Sequence, residues 1–278
     1  MSGYVETGTY LDRILARTAV DLDARMQADS RTALERKAAD RPAPLNLTQA
    51  LSKPTIAVIS EIKRASPSKG RFAAVVDPPV LAADYVAGGA SAISVLTDEP
   101  FFQGSLDDMA TAANVAHAAE HPVPILRKDF VIDEFQLLEA LAFGADAALL
   151  IVAALEQPQL VALAQAASTL GLSTLIEVHD EAEMERAIDA GAKVIGINNR
   201  DLRSFHVDLA VTERVGKLCP PDAILVAESG ISTRSDVERL AQTGASAILV
   251  GESLILAPDR AAALRDLGSV RNPKWPGK

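Results

Sequence analysis

The chain has 278 residues, 49% hydrophobic and 23% charged, with 27 lysines and arginines against 37 aspartates and glutamates, a net charge of −10. That balance excludes a largely disordered chain and supplies apolar side chains for a large core. The negative field disfavours non-specific binding to nucleic acid or an anionic membrane, so an anionic ligand would need a local basic pocket.

Cys219 is the only cysteine, which leaves no internal disulfide and no cysteine metal cluster and reads as a free thiol in a reducing compartment. No apolar run approaches the ~20 residues of a membrane span. The N-terminal stretch carries Glu6, Asp12, Arg13 and Arg17 without a central apolar block, unlike a signal peptide. The expected location is the cytoplasm.

Residues 1–54 read as a helical extension. Leu11, Ile14, Leu15, Leu22 and Met26 form one stripe of a helix predicted over Thr9–Met26, with Asp12, Arg13, Arg17, Asp21 and Asp23 on the other face. Thr9 and Asp12 resemble a capping box. A more polar helix is predicted over Ser30–Ala39, stopped by Pro42 and Pro44, and a short helical turn at Thr48–Leu51 ends at Pro54. The extension is expected to pack as a lid on a larger body.

From Ile56 the pattern changes to short apolar runs: Ile56–Ile62, Ala92–Leu96, Pro124–Leu126, Ala147–Val152, Thr174–Val178, Val194–Asn198, Ala223–Ala227 and Ala247–Val250. Between them lie helix-length segments at Val80–Ala87, Leu106–Ala118, Glu134–Phe143, Gln157–Leu170, Glu181–Ala190, Leu209–Leu218 and Arg234–Gln242. Apolar runs without alternation are buried on both faces, as parallel strands are, and strand alternating with helix argues for βαβ units. Gly89-Ala90, Gly144-Ala145, Gly191-Ala192 and Gly244-Ala245 each mark a passage from helix to strand, glycine taking the left-handed cap cheaply. Residues 55–268 therefore fit an α/β fold, a single (β/α)8 TIM barrel, whose usual size is ~250 residues. A doubly wound open sheet fits less well, because no G-x-G-x-x-G follows any strand. Residues 269–278 are expected to form a loosely held tail.

In such a barrel the active site lies at the C-terminal ends of the strands. The first strand ends Ser60-Glu61-Ile62-Lys63, where Glu61 and Lys63 are two apart and share a face. The third ends Leu126-Arg127-Lys128-Asp129, the fifth Ile176-Glu177-Val178 and the sixth Ile197-Asn198-Asn199-Arg200. Charges at the ends of apolar strands are costly to desolvate. Glu61, Lys63, Lys128 and Glu177 could be paired ions closing the top of the core, but a cluster of this kind more often marks a functional pocket. Lysines mixed with carboxylates suit acid–base work on an anionic substrate, and burial or like charge is expected to lower a lysine towards neutrality as a usable acid.

The seventh strand runs into Glu228-Ser229-Gly230-Ile231-Ser232 and the eighth into Gly251-Glu252-Ser253-Leu254. Loops after these two strands often bind phosphate through small residues, backbone N–H groups and a helix N-terminus. Of the histidines, His117 lies late in a helix, His121 precedes a proline and His206 is in a loop. Surface or capping roles suit these three, while His179, close behind Glu177, is expected to face the other way from its neighbour on the strand. No His and carboxylate cluster has metal-ligand spacing, so no metal is expected.

The stretch Ile59-Ser60-Glu61-Ile62-Lys63-Arg64-Ala65-Ser66-Pro67-Ser68-Lys69-Gly70 resembles the signature of the indole-3-glycerol phosphate synthase family, barrels of tryptophan biosynthesis. The likeness continues through Leu126–Phe130, Leu175–His179, Gly196–Leu202, Ala227–Ile231 and Val250–Leu254, and covers nearly the whole chain. Ser60 departs from it, standing where alanine is more usual. The resemblance implies a cofactor-free carboxy-lyase that closes the ring of 1-(2-carboxyphenylamino)-1-deoxyribulose 5-phosphate with loss of CO2 and water. By resemblance Lys128 is the general acid, Glu177 the general base in dehydration, Lys63 the holder of the substrate carboxylate, and Glu61 the group that orients the lysines and substrate hydroxyls. Asn198 and Arg200 would position the substrate near its carbonyl, Ser66 and Ser229 belong to a shell for its phosphate and hydroxyls, and Phe130, Leu202 and Pro67 would form the slot for its aromatic ring. Gly230, Gly251 and Ser253 would bind phosphate, with Glu252 offering its backbone N–H and turning its carboxylate away. The implied partner is a small anionic sugar phosphate, not nucleic acid or membrane; association with other tryptophan-pathway enzymes stays open. Two other functions remain: a related phosphate-binding barrel isomerase, which needs a catalytic Asp or Cys pair, and an inactive barrel that binds a metabolite or partner enzyme.

Overall fold

The computed structural model describes residues 4–28, 30–72 and 76–275, and in it the predicted apolar runs are strands. They are β1 (Ala57–Ile62), β2 (Ala92–Leu96), β3 (Ile125–Lys128), β4 (Ala147–Ile151), β5 (Ser173–Val178), β6 (Val194–Asn198), β7 (Ile224–Glu228) and β8 (Ala247–Val250). Each pairs in parallel with the next, and β8 pairs with β1, Ala57 opposite Ala247 and Ser60 opposite Val250. That last pair closes the sheet, which makes the fold the expected (β/α)8 barrel and excludes the open one.

Ahead of the barrel lie α1 (Leu11–Ala28), α2 (Arg31–Ala39) and α3 (Leu47–Leu51). The helices that follow are α4 (Pro78–Gly88), α5 (Glu99–Phe102), α6 (Leu106–His117), α7 (Glu134–Ala142), α8 (Gln157–Thr169), α9 (Glu181–Asp189), α10 (Ala210–Val215), α11 (Arg234–Gln242), α12 (Glu252–Ile255) and α13 (Arg260–Leu267). Their starts are written locally: Ser105, Asp133, Asp180, Thr233 and Asp259 each precede a helix and accept a backbone N–H of its first turn. At the other ends Gly89, Gly144, Gly191 and Gly244 all have positive φ, as the repeated Gly-Ala pairs require. The predicted helix Leu209–Leu218 is α10 followed by a 3-10 turn at Gly216–Leu218. The Thr9–Asp12 box takes a wider form, in which the Asp12 carboxylate accepts from Thr7 and Gly8 and the Thr9 hydroxyl accepts from Leu11.

The N-terminal helices run from one end of the barrel to the other. α1 crosses the mouth, where Tyr10 packs edge-on against Phe101 and Phe205 and the Tyr10 N–H donates to the Leu202 carbonyl. Arg25 near its end donates to Glu139 of α7 at 2.8 Å, and α2 packs along that same helix. α3 closes the floor: Leu47 and Leu51 are fully buried, the Leu47 N–H donates to Ser173 at the start of β5, and the Leu45 N–H donates to Asp146 before β4. Of the tail, the part up to Trp275 is tied to the foot of β1, with Ile56 N–H donating to the Val270 carbonyl and Asn272 N–H to that of Pro54. Residues 276–278 lie outside the described part.

Between the barrel wall and α7, Arg127 is wholly buried and bonded to Thr97, Asp129, Glu139 and the Gln136 carbonyl. Every guanidinium nitrogen has an acceptor, which is the condition for keeping such a charge out of water. The network anchors the end of β3, where the next residue, Lys128, points the other way into the barrel.

Leu47→Ala is expected to cost about 2–5 kcal/mol, because α3 cannot move into the vacated floor of a closed barrel. Urea unfolding should show a lower midpoint with an unchanged slope.

Candidate active site

Strand register decides which side chains meet at the mouth. Lys128 lies beside Leu96, Glu177 beside Ile151, and Asn198 beside Glu228, which in turn lies beside Leu249. In a parallel sheet such neighbours share a face, so these residues form one inward ring. Its centre is the Lys128 ammonium, 2.6 Å from Glu177 Oε2 and 2.9 Å from Glu228 Oε2. Glu61 pairs with Lys63 next to it. Asn198 donates to Glu177 Oε1 at 3.1 Å, and its own Oδ1 accepts from the Ser229 hydroxyl and the Arg200 N–H.

The electrostatics follow from this bracketing. Burial alone would push the Lys128 ammonium down, but Glu177, Glu228 and Glu61 outweigh it and raise it above the ordinary lysine value. The expectation of a lowered lysine is therefore corrected: opposite charge prevails over desolvation here. Burial would raise Glu177, yet Lys128 and His179 bring it down to about 2. Glu228 is left with the opposite outcome: burial and the Glu177 charge outweigh Lys128 and lift it to about 7. Its Oε1 is buried without a hydrogen-bond partner.

Above the ring opens a cavity of ≈ 620 Å³, and every residue singled out from the sequence lines it. Glu61, Lys63, Lys128 and Glu177 lie at its base with Asn198. Phe130 stands on one wall beside Phe102, ring centroids 5.9 Å apart, with Ser66, Pro67, Arg200 and Leu202 also on its lining. Ser229, Gly230, Gly251, Glu252 and Ser253 form the side over β7 and β8. Ser229 and Gly230 both take the left-handed conformation, φ 68° and 80°, which bends the chain sharply at the end of β7. The Glu252 carboxylate lies 3.4 Å from Lys69 Nζ.

Several lining residues escape the sequence analysis. Glu228 ends β7 much as Glu177 stands next to the end of β5, and the strand-end rule applied to Glu177 would have found it. Phe102 belongs to the four-residue α5, too short for periodicity. Tyr10, Leu11 and Ile14 come from the N-terminal extension. The sequence assigns His179 no role, and its ring lies 3.5 Å from Glu177 Oε1. Among the described residues no group of three or more His, Cys, Asp or Glu side chains is arranged to hold a metal ion.

The family model for indole-3-glycerol phosphate synthase matches residues 11–267. The chain belongs to the indole-3-glycerol phosphate synthase family. It is 49% identical over 257 residues to the indole-3-glycerol phosphate synthase of Streptomyces griseus, covering 92% of this chain and 94% of that protein. The synthases of Roseiflexus sp. (47%, covering 94% and 98%) and Mycolicibacterium smegmatis (45%, covering 95% of each) are similar over the same extent. Family membership makes the chain an enzyme of tryptophan biosynthesis, a carboxy-lyase acting on a phosphorylated substrate. Two solved structures share the fold at low identity: thiamine phosphate pyrophosphorylase from Pyrococcus furiosus (TM-score 0.58, 18%, covering 80% of this chain and 96% of that one) and 3-hexulose-6-phosphate synthase from Salmonella typhimurium (TM-score 0.58, 14%, covering 77% and 97%). No helix among the described residues is long and apolar enough to cross a membrane.

A glycine shapes this family member's charge cluster. Gly196 of β6 sits next to Glu177, and a Cβ there would overlap Glu228 Oε1. Gly196→Ala should displace the Glu228 carboxylate from Lys128 and lower kcat at least tenfold. A parallel thermal melt should show the barrel still folded, so the loss is assigned to the cluster.

Proposed function

We propose that this enzyme converts 1-(2-carboxyphenylamino)-1-deoxyribulose 5-phosphate into indole-3-glycerol phosphate, in the cytoplasm, using side chains and no cofactor. The observation that carries this is the charged Lys128 ammonium held between two carboxylates at the floor of a cavity with aromatic and apolar lining on one side and Ser/Gly loops on another. Ring closure needs a proton donor at a carbonyl, a base for the later dehydration and clamps for the anionic ends of the substrate.

In this reading the anthranilate ring lies against Phe130, Leu202 and Pro67. Lys63 holds its carboxylate, and Glu61 orients Lys63 and the substrate hydroxyls. Asn198 and Arg200 fix the ribulose carbonyl near Lys128. The phosphate is held by Ser66, Ser229, Gly230, Gly251 and Ser253 together with the Glu252 backbone N–H. The Glu252 carboxylate is offset by Lys69.

The ring carbon bearing the carboxylate attacks the carbonyl carbon, and Lys128 gives its proton to the oxygen as the new bond forms. A raised lysine still does this, because the forming alkoxide is more basic than an amine. Loss of CO2 returns the ring electrons and restores aromaticity. Glu228, poised at about 7, can hand a proton to the emptied Lys128 at 2.9 Å. In the dehydration Lys128 protonates the departing hydroxyl, and Glu177 takes the proton released as the indole double bond forms. The two lie 2.6 Å apart, so the proton returns to Lys128. The overall reaction takes up one proton as CO2 leaves, and Glu228 regains it from solvent when the product departs. α1, lying over the mouth, keeps bulk water from these transfers.

Indole fluorescence should rise when the purified protein meets this substrate without added metal or cofactor. Lys128→Ala should lower turnover by at least ~10², the lower end for loss of a general acid, and Glu177→Gln should reduce kcat more than it changes KM. Substrate binding without indole formation would favour the inactive barrel instead.

A further inference from the structure

We infer that His179, which lies outside the cavity lining, is a positioning residue: its imidazolium grips the Glu177 carboxylate from the side opposite Lys128. The inference rests on the reading of Glu177 as the base. β5 ends at Val178, and the His179 ring lies between Glu177 and Glu183 of α9. The His179 backbone N–H donates to Glu183 Oε2 at 2.7 Å, and Nδ1 lies 3.0 Å from that same oxygen. An ionised carboxylate only accepts, so Nδ1 carries a hydrogen.

That leaves Nε2 facing Glu177 Oε1 at 3.5 Å, buried and without a hydrogen bond. A bare lone pair there would meet the lone pairs of an anion. A second N–H makes the contact attractive, so a ring with a carboxylate at each nitrogen holds two protons. The charged groups facing it are Glu183 from α9, Glu177 from β5 and, farther off, Glu228 from β7; Lys128 from β3 reaches the other oxygen of Glu177. Burial would push the imidazole down, but these carboxylates outweigh it and raise it above its ordinary value.

Glu177 is thus held at three points, Oε2 by Lys128 and Oε1 by Asn198 and His179. Lys128 loses its charge when it gives its proton to the substrate, and Asn198 never has one. His179 is then the cation that still keeps Glu177 ionised and aimed during the turnover. Without it the carboxylate binds a proton more readily, so activity on the acid side is lost at higher pH.

Two isosteric variants separate positioning from packing. His179→Asn keeps an amide near Glu183 and leaves nothing opposite Glu177 Oε1, whereas His179→Gln puts an amide N–H where Nε2 was. In His179→Asn, kcat should fall about tenfold with KM within about twofold, and the acid side of the kcat profile should move up by about one pH unit. His179→Gln, which restores the N–H but not the charge, should recover part of the rate while the acid side of its profile stays displaced. Independently of any variant's folding, 15N NMR of the wild-type enzyme should show both His179 ring nitrogens protonated at neutral pH. A neutral ring, or equal loss in both variants with an unmoved pH profile, overturns the inference. With Glu177→Gln inactive and His179→Asn indistinguishable from wild type, the inference alone falls. Full turnover in Glu177→Gln would remove the base assignment, and the inference with it.

Discussion

The site depends on one ammonium placed between two carboxylates inside an apolar barrel. Lys128 contributes a positive charge that the interior would otherwise reject. Glu177 and Glu228 contribute negative charges that would be rejected in turn. Together they hold each other ionised only in part: one carboxylate is driven down to about 2 and the other up to about 7. A single cation cannot fully neutralise two adjacent anions, and the surplus appears as a proton affinity near neutrality on Glu228. A group near 7 both gives and takes protons under ordinary conditions, which is what acid–base work at this cluster would require.

The rest of the molecule holds this arrangement in register. Lys128, Glu177 and Glu228 come from strands whose residues are 49 and 100 positions apart from Lys128 in sequence. Only closure of the sheet brings them together. Gly196 leaves the space that the Glu228 carboxylate occupies, and Gly251 leaves a similar space beside Glu61. On the outer face, the Arg127 network fixes the backbone one residue before Lys128, and Glu139 of that network also receives Arg25 from the N-terminal extension. The extension therefore shares an acidic partner with the strand that carries Lys128, while its first helix lines the cavity mouth.

The barrel is legible in the sequence because its signals are local. Uninterrupted apolar runs, helix-length segments between them and four Gly-Ala exits each act within a few residues. What escapes is what depends on distance. The charges of Arg127 and Lys128 at the end of β3 are compensated from α7, β5 and β7, partners that the sequence does not reveal. The direction of the lysine's titration is invisible for the same reason, since it is set by carboxylates on other strands. Glu228 is legible in principle, but the serine-glycine turn after it has its own explanation as an anion loop. Phe102 and Tyr10 reach the cavity from a four-residue helix and from the N-terminal extension, where no periodicity signals a site.

The strand-end carboxylates illustrate how similar local sequence produces different chemistry. Glu177 and Glu228 both lie at the C-terminal end of an apolar strand, both point inward and both touch Lys128. Glu177 has two further partners, Asn198 and the His179 ring, on its second oxygen. Glu228 has none on its own second oxygen, which is buried and unbonded against Gly196. A carboxylate with donors on both oxygens is stabilised as the anion, and one with a bare buried oxygen favours its protonated form. The opposite proton affinities of the two glutamates therefore trace to the residues behind them: an asparagine and a histidine in one case, a glycine in the other.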